Sequence, residues 1–314
     1  MRSLSRRTLL TASALGLAGA ARQPGRADDR DYRIGMTDWN LGPVCDPTRL
    51  ELAAQAGLTG VQVSIGARPD SIPLRDPALR RRYVELGKRY GVAFPSVAAG
   101  SILNRIPLKS EPQSAVYVID AVETADALGA RNTLIAFFSN GDLRLRNADG
   151  EYINRSRGPF ASYEWDSAGV ERVIAALKQI APRARDHNVF LGLENTLTAE
   201  QNLEILDRVG SPWVKIYYDV GNSTSYGYDV PGEIRRLGKE RISEIHIKET
   251  LGLDDPKKGL LGGPARHGVD FDAVAAAVRD IGFDRWFVLE LSGLEGRFVD
   301  DTRANVDFVR RRFL

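Results

Sequence analysis

The chain has 314 residues, 43% hydrophobic and 27% charged, which is the balance of a soluble globular protein with one large domain or two ordinary ones. A net charge of +2, with arginines scattered beside acids, gives no basic surface for nucleic acid or an acidic membrane. The single cysteine, Cys45, excludes an intramolecular disulfide and any zinc cluster built from cysteine.

In chain order, the first element is a targeting segment. "MRSLSRRTLLTASALGLAGAARQPGRADD" has a basic start, an apolar run from Leu9 to Ala20 and small residues beyond. The run is short for a membrane span. Ser5-Arg6-Arg7-Thr8-Leu9-Leu10 resembles the twin-arginine export signal. Cleavage after Ala27 is preferred to cleavage after Ala20. It leaves one domain, residues 28–314, in the periplasm or another extracytoplasmic space, with no membrane contact.

Beyond residue 30, short apolar runs alternate with helical patterns. Strands are expected at "YRIGMTDW" (32–39), "GVQVSI" (60–65), "VAFPSVA" (92–98) and "NTLIAFF" (132–138). Four more follow at "VFLGLEN" (189–195), "VKIYYDV" (214–220), "ISEIHIK" (242–248) and "WFVLEL" (286–291). Helices are expected over 47–56, 77–90, 112–129, 166–186, 198–209, 231–239, 271–281 and 301–313. Asp46-Pro47 and Asp76-Pro77 read as N-caps followed by a helix-compatible proline. Gly57, Gly91, Gly129, Gly210 and Gly282 read as helix stops. Eight strand–helix units in a chain of this length predict a (β/α)8 TIM barrel. A doubly wound open sheet needs a glycine-rich phosphate loop after its first strand, and "GMTDWNLGP" is not one.

Barrel strands point alternate residues inward and carry chemistry at their C-terminal ends. With Leu191 and Leu193 facing the helices, Glu194 faces the axis. The same alternation turns Asp219, His246 and Glu290 inward. Glu194 and Asp219 are 25 residues apart and Asp219 and His246 are 27, one repeat each. The 44 residues to Glu290 include the insertion "LGLDDPKKGLLGGPARHG". Three carboxylates so placed repel one another unless a cation joins them. Two glutamates, an aspartate and one imidazole predict one divalent ion, with Mn²⁺, Mg²⁺, Co²⁺ and Zn²⁺ all compatible. Each residue taken alone has a plainer reading, as a satisfied core histidine or a helix cap, so the joint pattern carries the prediction.

"GLEN", "YYDVGN", "IHIKE", "GVDFDAV" and "VLELSG" together resemble the xylose isomerase-like TIM barrel family of sugar isomerases and epimerases. In that family, the positions matching Glu194, Asp219, His246 and Glu290 bind one divalent metal, and the two glutamates act as acid and base. The resemblance implies proton transfer through an enediolate on a small carbohydrate. Family epimerases often place a histidine where this chain has Asn222. They also commonly place an arginine soon after the strand-seven histidine, where this chain reads "KETLGLDDPKKG". Arg266 and His267, later in the same insertion, are candidates for that role. Lys248 and Asn222 are candidates for holding substrate hydroxyls, and Trp39 and Phe138 for packing against an apolar sugar face. Tyr217 reads as core, and His187 falls at the opposite end of the barrel. The same site also suits a sugar or cyclitol dehydratase, and loss of catalysis would leave an exported sugar-binding protein. An endonuclease IV type of nuclease needs a histidine-rich multi-zinc site, and the chain has three histidines. The absence of a glycine-rich anion loop favours an unphosphorylated sugar. Barrel helices bury their inner faces whether or not subunits associate, so the pattern also permits an oligomer.

Overall fold

A computed structural model describes residues 32–250, 259–262, 268–291 and 296–314. The predicted signal segment, and Arg266 and His267, lie outside the described residues. Eight parallel strands close into a barrel in sequence order. They are β1 (Ile34–Thr37), β2 (Gly60–Ser64), β3 (Ser96–Ala98), β4 (Asn132–Ala136), β5 (Phe190–Glu194), β6 (Val214–Asp219), β7 (Ile242–Ile247) and β8 (Phe287–Leu289). The outer helices are α1 (Arg49–Gln55), α2 (Pro77–Tyr90), α3 (Ala115–Leu128), α4 (Ser167–Asp186), α5 (Ala199–Val209), α6 (Val230–Arg241), α7 (Phe271–Asp280) and α8 (Phe298–Phe313). The predicted (β/α)8 barrel is therefore the fold. Among the described residues, no helix is long and apolar enough to cross a membrane.

Alternation divides the strand residues between two environments. Leu191, Leu193, Ile216, Tyr218, Ile245, Ile247 and Leu289 join the helices in one continuous apolar sleeve. A smaller set, Ala98, Leu134, Ala136, Tyr217 and Val288, packs along the axis with Trp39, Phe138 and Trp286 against it. Trp286 fills the lower end of the barrel over Gly60, where a Cβ would lie 2.6 Å from the indole ring. The rest of the axis is polar and buried: Gln62, Ser96, Glu244 and His246 are each at most 2% exposed.

Local signals set the element ends. Asp76 accepts from the Ala78 amide as the N-cap of α2, and Gly91, Gly129 and Gly210 close their helices in the left-handed conformation. Asp46 accepts from the Thr48 amide across Pro47 as Asp76 does from Ala78, but it caps a tight turn ahead of the regular helix. Its carboxylate folds back onto Thr48 N and Oγ1, and the helix starts two residues later than Pro47, at Arg49. The strand predicted from Tyr32 to Trp39 is shorter, because Asp38 begins a helical turn (Asp38–Leu41) and its carboxylate binds Ser64.

Glu233 of α6 ties two units together, accepting from Ala199 N at the start of α5 and from the Tyr218 hydroxyl, both at 2.8 Å. Burial pushes its carboxyl up from 4.5 to about 7. The folded chain holds this proton at pH values where the unfolded chain has released it. Its contribution to stability therefore falls as pH rises from about 4.5 to about 7. Glu233→Gln should remove that slope. Calorimetry at pH 5 and pH 8 should show the variant gaining a few °C on the wild type at the higher pH. A difference in Tm that does not change with pH contradicts this reading.

Candidate metal and acid–base site

Glu194 ends β5, Asp219 ends β6, His246 lies in β7 and Glu290 follows β8. Registry brings them together: Asp219 pairs with His246, His246 pairs with Val288, and the Glu290 amide bonds Ile247 O at 3.0 Å. One ligand atom from each of the four lies within 4.8 Å of the others. The imidazole Nδ1 is 3.2 Å from Glu194 Oε1, 3.5 Å from Glu290 Oε2 and 3.7 Å from Asp219 Oδ2. All four sequence candidates therefore converge at the C-terminal end of the barrel.

Asp219 does two jobs with its two oxygens. Oδ1 caps the turn Val220–Ser225 by accepting from Asn222 N at 2.8 Å. Oδ2 is buried, has no aligned hydrogen bond and points into the cluster. The Lys248 ammonium lies 2.9 Å from that oxygen and 2.7 Å from Glu290 Oε2. Gly221 gives its stem room, since a Cβ there would come within 2.5 Å of Lys248 Cγ. The glycine of "DVGN" is thus explained by the lysine of "IHIKE".

Electrostatics follow from this crowding. Burial, with Glu290 and Asp219 adding, pushes Glu194 up to about 7 against the pull of His246. Burial alone would lower His246, but Glu194 and Glu290 outweigh it and raise the imidazole to about 10. Burial would also raise Asp219, yet Lys248 and His246 hold it below the usual carboxylate range. Lys248 is driven up, because its carboxylate neighbours outweigh burial.

The fit to a divalent ion rests on four converging donor atoms, three carboxylate oxygens and one imidazole nitrogen, whose crowding the chain itself meets with a cation, Lys248, 2.9 Å from Asp219 Oδ2. That set suits Mn²⁺, Mg²⁺, Co²⁺ or Zn²⁺ without choosing among them. Glu194, Asp219, His246 and Glu290 are the residues that would hold it.

Above the cluster lies a cavity of about 420 Å³. Trp39, Phe138, Asn222, Lys248, Glu194 and Glu290 all line it, as do Ser64, Ser101 and Asn104. Trp39 proves to be more than a packing surface, because its Nε1–H donates to Glu290 Oε1 at 3.2 Å. Asn104 accepts from Phe138 N at 3.0 Å. Ser64 donates to Asp38 Oδ1 at 2.7 Å, and burial raises that carboxyl to about 6. Sequence reasoning missed Ser64 and Asn104, whose residue types carry no signal. It also missed the excursion after β4, where the buried Asp142–Arg144 pair (2.8 Å) is bonded by Thr196 and Tyr152. His187 is remote, paired with Asp126 at 2.8 Å. A larger hollow of about 930 Å³ opens at the opposite end of the barrel and contains none of the four ligands.

Residues 50–312 match the family described as xylose isomerase-like TIM barrel, and the chain belongs to that family. It is 25% identical over 238 residues to the 2-epi-5-epi-valiolone 7-phosphate 2-epimerase of an Actinoplanes species, covering 76% of this chain and 79% of that protein. It is 24% identical over 256 residues to the L-ribulose-5-phosphate 3-epimerase UlaE of Escherichia coli, covering 79% and 82%. Among solved structures, a D-psicose 3-epimerase with D-tagatose from Clostridium cellulolyticum H10 superposes with a TM-score of 0.69 at 15% identity, covering 90% and 99%.

Lys248→Met removes the cation between the buried Asp219 and the half-buried Glu290 carboxylates. Breaking such a pair costs about 3–5 kcal/mol, so Tm of EDTA-treated protein should fall by on the order of 10 °C. Saturating Mn²⁺ should recover most of that loss. An unchanged Tm in EDTA counts against the ion pairs.

Proposed function

We propose that the protein is a divalent-metal-dependent sugar epimerase or isomerase. One observation carries the reading: Glu194 and Glu290 share a single four-ligand cluster and both line the cavity above it. A pure binder has no use for two carboxylates that reach the same small volume. Two carboxylates are what proton removal and proton return require. The curated relatives named above are both epimerases, which supports this chemistry over a lyase reaction.

A divalent ion held by the four ligands supplies Lewis acidity, making the C–H beside the substrate carbonyl easier to deprotonate. The remaining steps belong to the chain. One glutamate removes that proton, and the electron pair moves onto the carbonyl oxygen as an enediolate. The other glutamate returns a proton, to the opposite face of the same carbon for epimerisation, or to the former carbonyl carbon for isomerisation, in which case the neighbouring hydroxyl proton also passes to the former carbonyl oxygen. Trp39 Nε1 and Lys248 Nζ hold the two oxygens of Glu290 and so aim it. Trp39 and Phe138 offer apolar faces to the sugar, while Asn222 and Ser64 offer polar groups at the same wall. Arg266 and His267, later in the same insertion of the sequence, are proposed to take the part of the arginine that family epimerases carry. Residues 1–27 are proposed to export the domain by a twin-arginine route, where free sugars are commoner substrates than sugar phosphates.

Glu290→Gln tests the acid–base role. With the natural substrate or a surrogate ketose in D2O, wild-type enzyme should wash deuterium into the carbon beside the carbonyl. The variant should lose at least about 100-fold of that rate, and metal binding should weaken far less. Retained exchange rejects the role of Glu290.

A further inference from the structure

We infer that Gln62, which is no metal ligand, is the positioning residue that presents Nδ1 of His246 to the three carboxylates and so sets the affinity for a divalent ion. This inference rests on the metal reading above. Gln62 lies in β2, on the far side of the axis from the acidic strands, and is fully buried. Its amide has three partners. Nε2 donates to Ser96 Oγ at 2.7 Å and to the Tyr217 hydroxyl at 3.0 Å, and Oε1 faces His246 Nε2 at 3.0 Å.

The amide cannot turn over. With the Glu244 carboxylate ionised, Ser96 Oγ donates its one proton to Oε2 at 2.7 Å, so toward Gln62 it can only accept. A flipped amide would set a carbonyl oxygen against those lone pairs and leave two buried groups unmatched, which costs more than an ordinary lost bond. Gln62 Oε1 must therefore face the imidazole, and as an acceptor it requires the hydrogen on Nε2. Nδ1 is then the nitrogen left for the cluster, 3.2 Å from Glu194 Oε1. The ring is also held in orientation. Tyr217 packs at 4.4 Å between ring centroids, inclined by 60°, and Trp39 stands edge-on at 6.3 Å.

Glu244 and Ser96 thus lock Gln62, Gln62 sets the His246 tautomer, and His246 joins the ligand set. Gln62 touches neither the metal position nor the cavity lining, so a role in chemistry is not implied. Losing a partner of this kind typically weakens metal binding by about 10–100-fold.

Calorimetric titration of Mn²⁺ into metal-free protein tests this on wild type, Gln62→Met and Tyr217→Phe. Both variants remove hydrogen bonds from the same buried network, but only the first frees Nε2. Gln62→Met should bind Mn²⁺ about 10–100-fold more weakly, and Tyr217→Phe should stay within about threefold of wild type. Gln62→Asn keeps an amide but withdraws it by one methylene. It should shift affinity in the same direction by a smaller factor, and it serves where Gln62→Met does not fold. Wild-type binding with unchanged affinity in the Gln62 variants overturns the inference alone. Equal weakening in Tyr217→Phe also overturns it, leaving a merely structural network. A wild type that takes up no Mn²⁺ overturns the metal reading and this inference together.

Discussion

Three carboxylates and one imidazole meet within 4.8 Å at the mouth of this barrel, and nearly everything else in the molecule answers to that crowding. Like charges at such range in a buried place do not coexist without a counter-charge. The protein supplies one in Lys248, which bridges Asp219 and Glu290, and another when His246 holds a second proton. Both lie where a divalent ion would act. The cluster calls for a cation, and the chain keeps two of its own close at hand.

The fold explains how such a cluster is held. An ordinary barrel fills its axis with branched apolar side chains. Here the buried apolar axis is reduced to Ala98, Leu134, Ala136, Tyr217 and Val288, with Trp39, Phe138 and Trp286 packed against it. The volume beside them is given to Gln62, Ser96, Glu244 and His246, bonded in a chain down the barrel. The stability of the fold therefore comes from the outer sleeve between strands and helices, while the inner column orients the site. That division lets the mouth carry electrostatic conflict without loosening the barrel.

Much of this was legible in the sequence, for a physical reason. Strand alternation has a period of two, so an outward Leu191, Ile216, Ile245 or Leu289 settles the facing of Glu194, Asp219, His246 and Glu290. Glycine stops and the Asp76 cap are local chemistry and were equally readable. What could not be read was anything set by cross-barrel distance. Gln62 looks like one polar residue in an apolar strand, and its partner lies 184 residues away. Trp39 reaches Glu290 over 251 residues, and no spacing announces that bond.

The central claim is that these four side chains form one metal site. Elemental analysis of the protein beside its His246→Ala variant tests it most directly. After loading with Mn²⁺, Co²⁺, Zn²⁺ and Mg²⁺ in turn, the account predicts about one equivalent of a divalent ion in the wild type and far less in the variant. No ion retained by either protein under any of the four conditions would contradict it, and would leave the convergence of Glu194, Asp219, His246 and Glu290 without a cause.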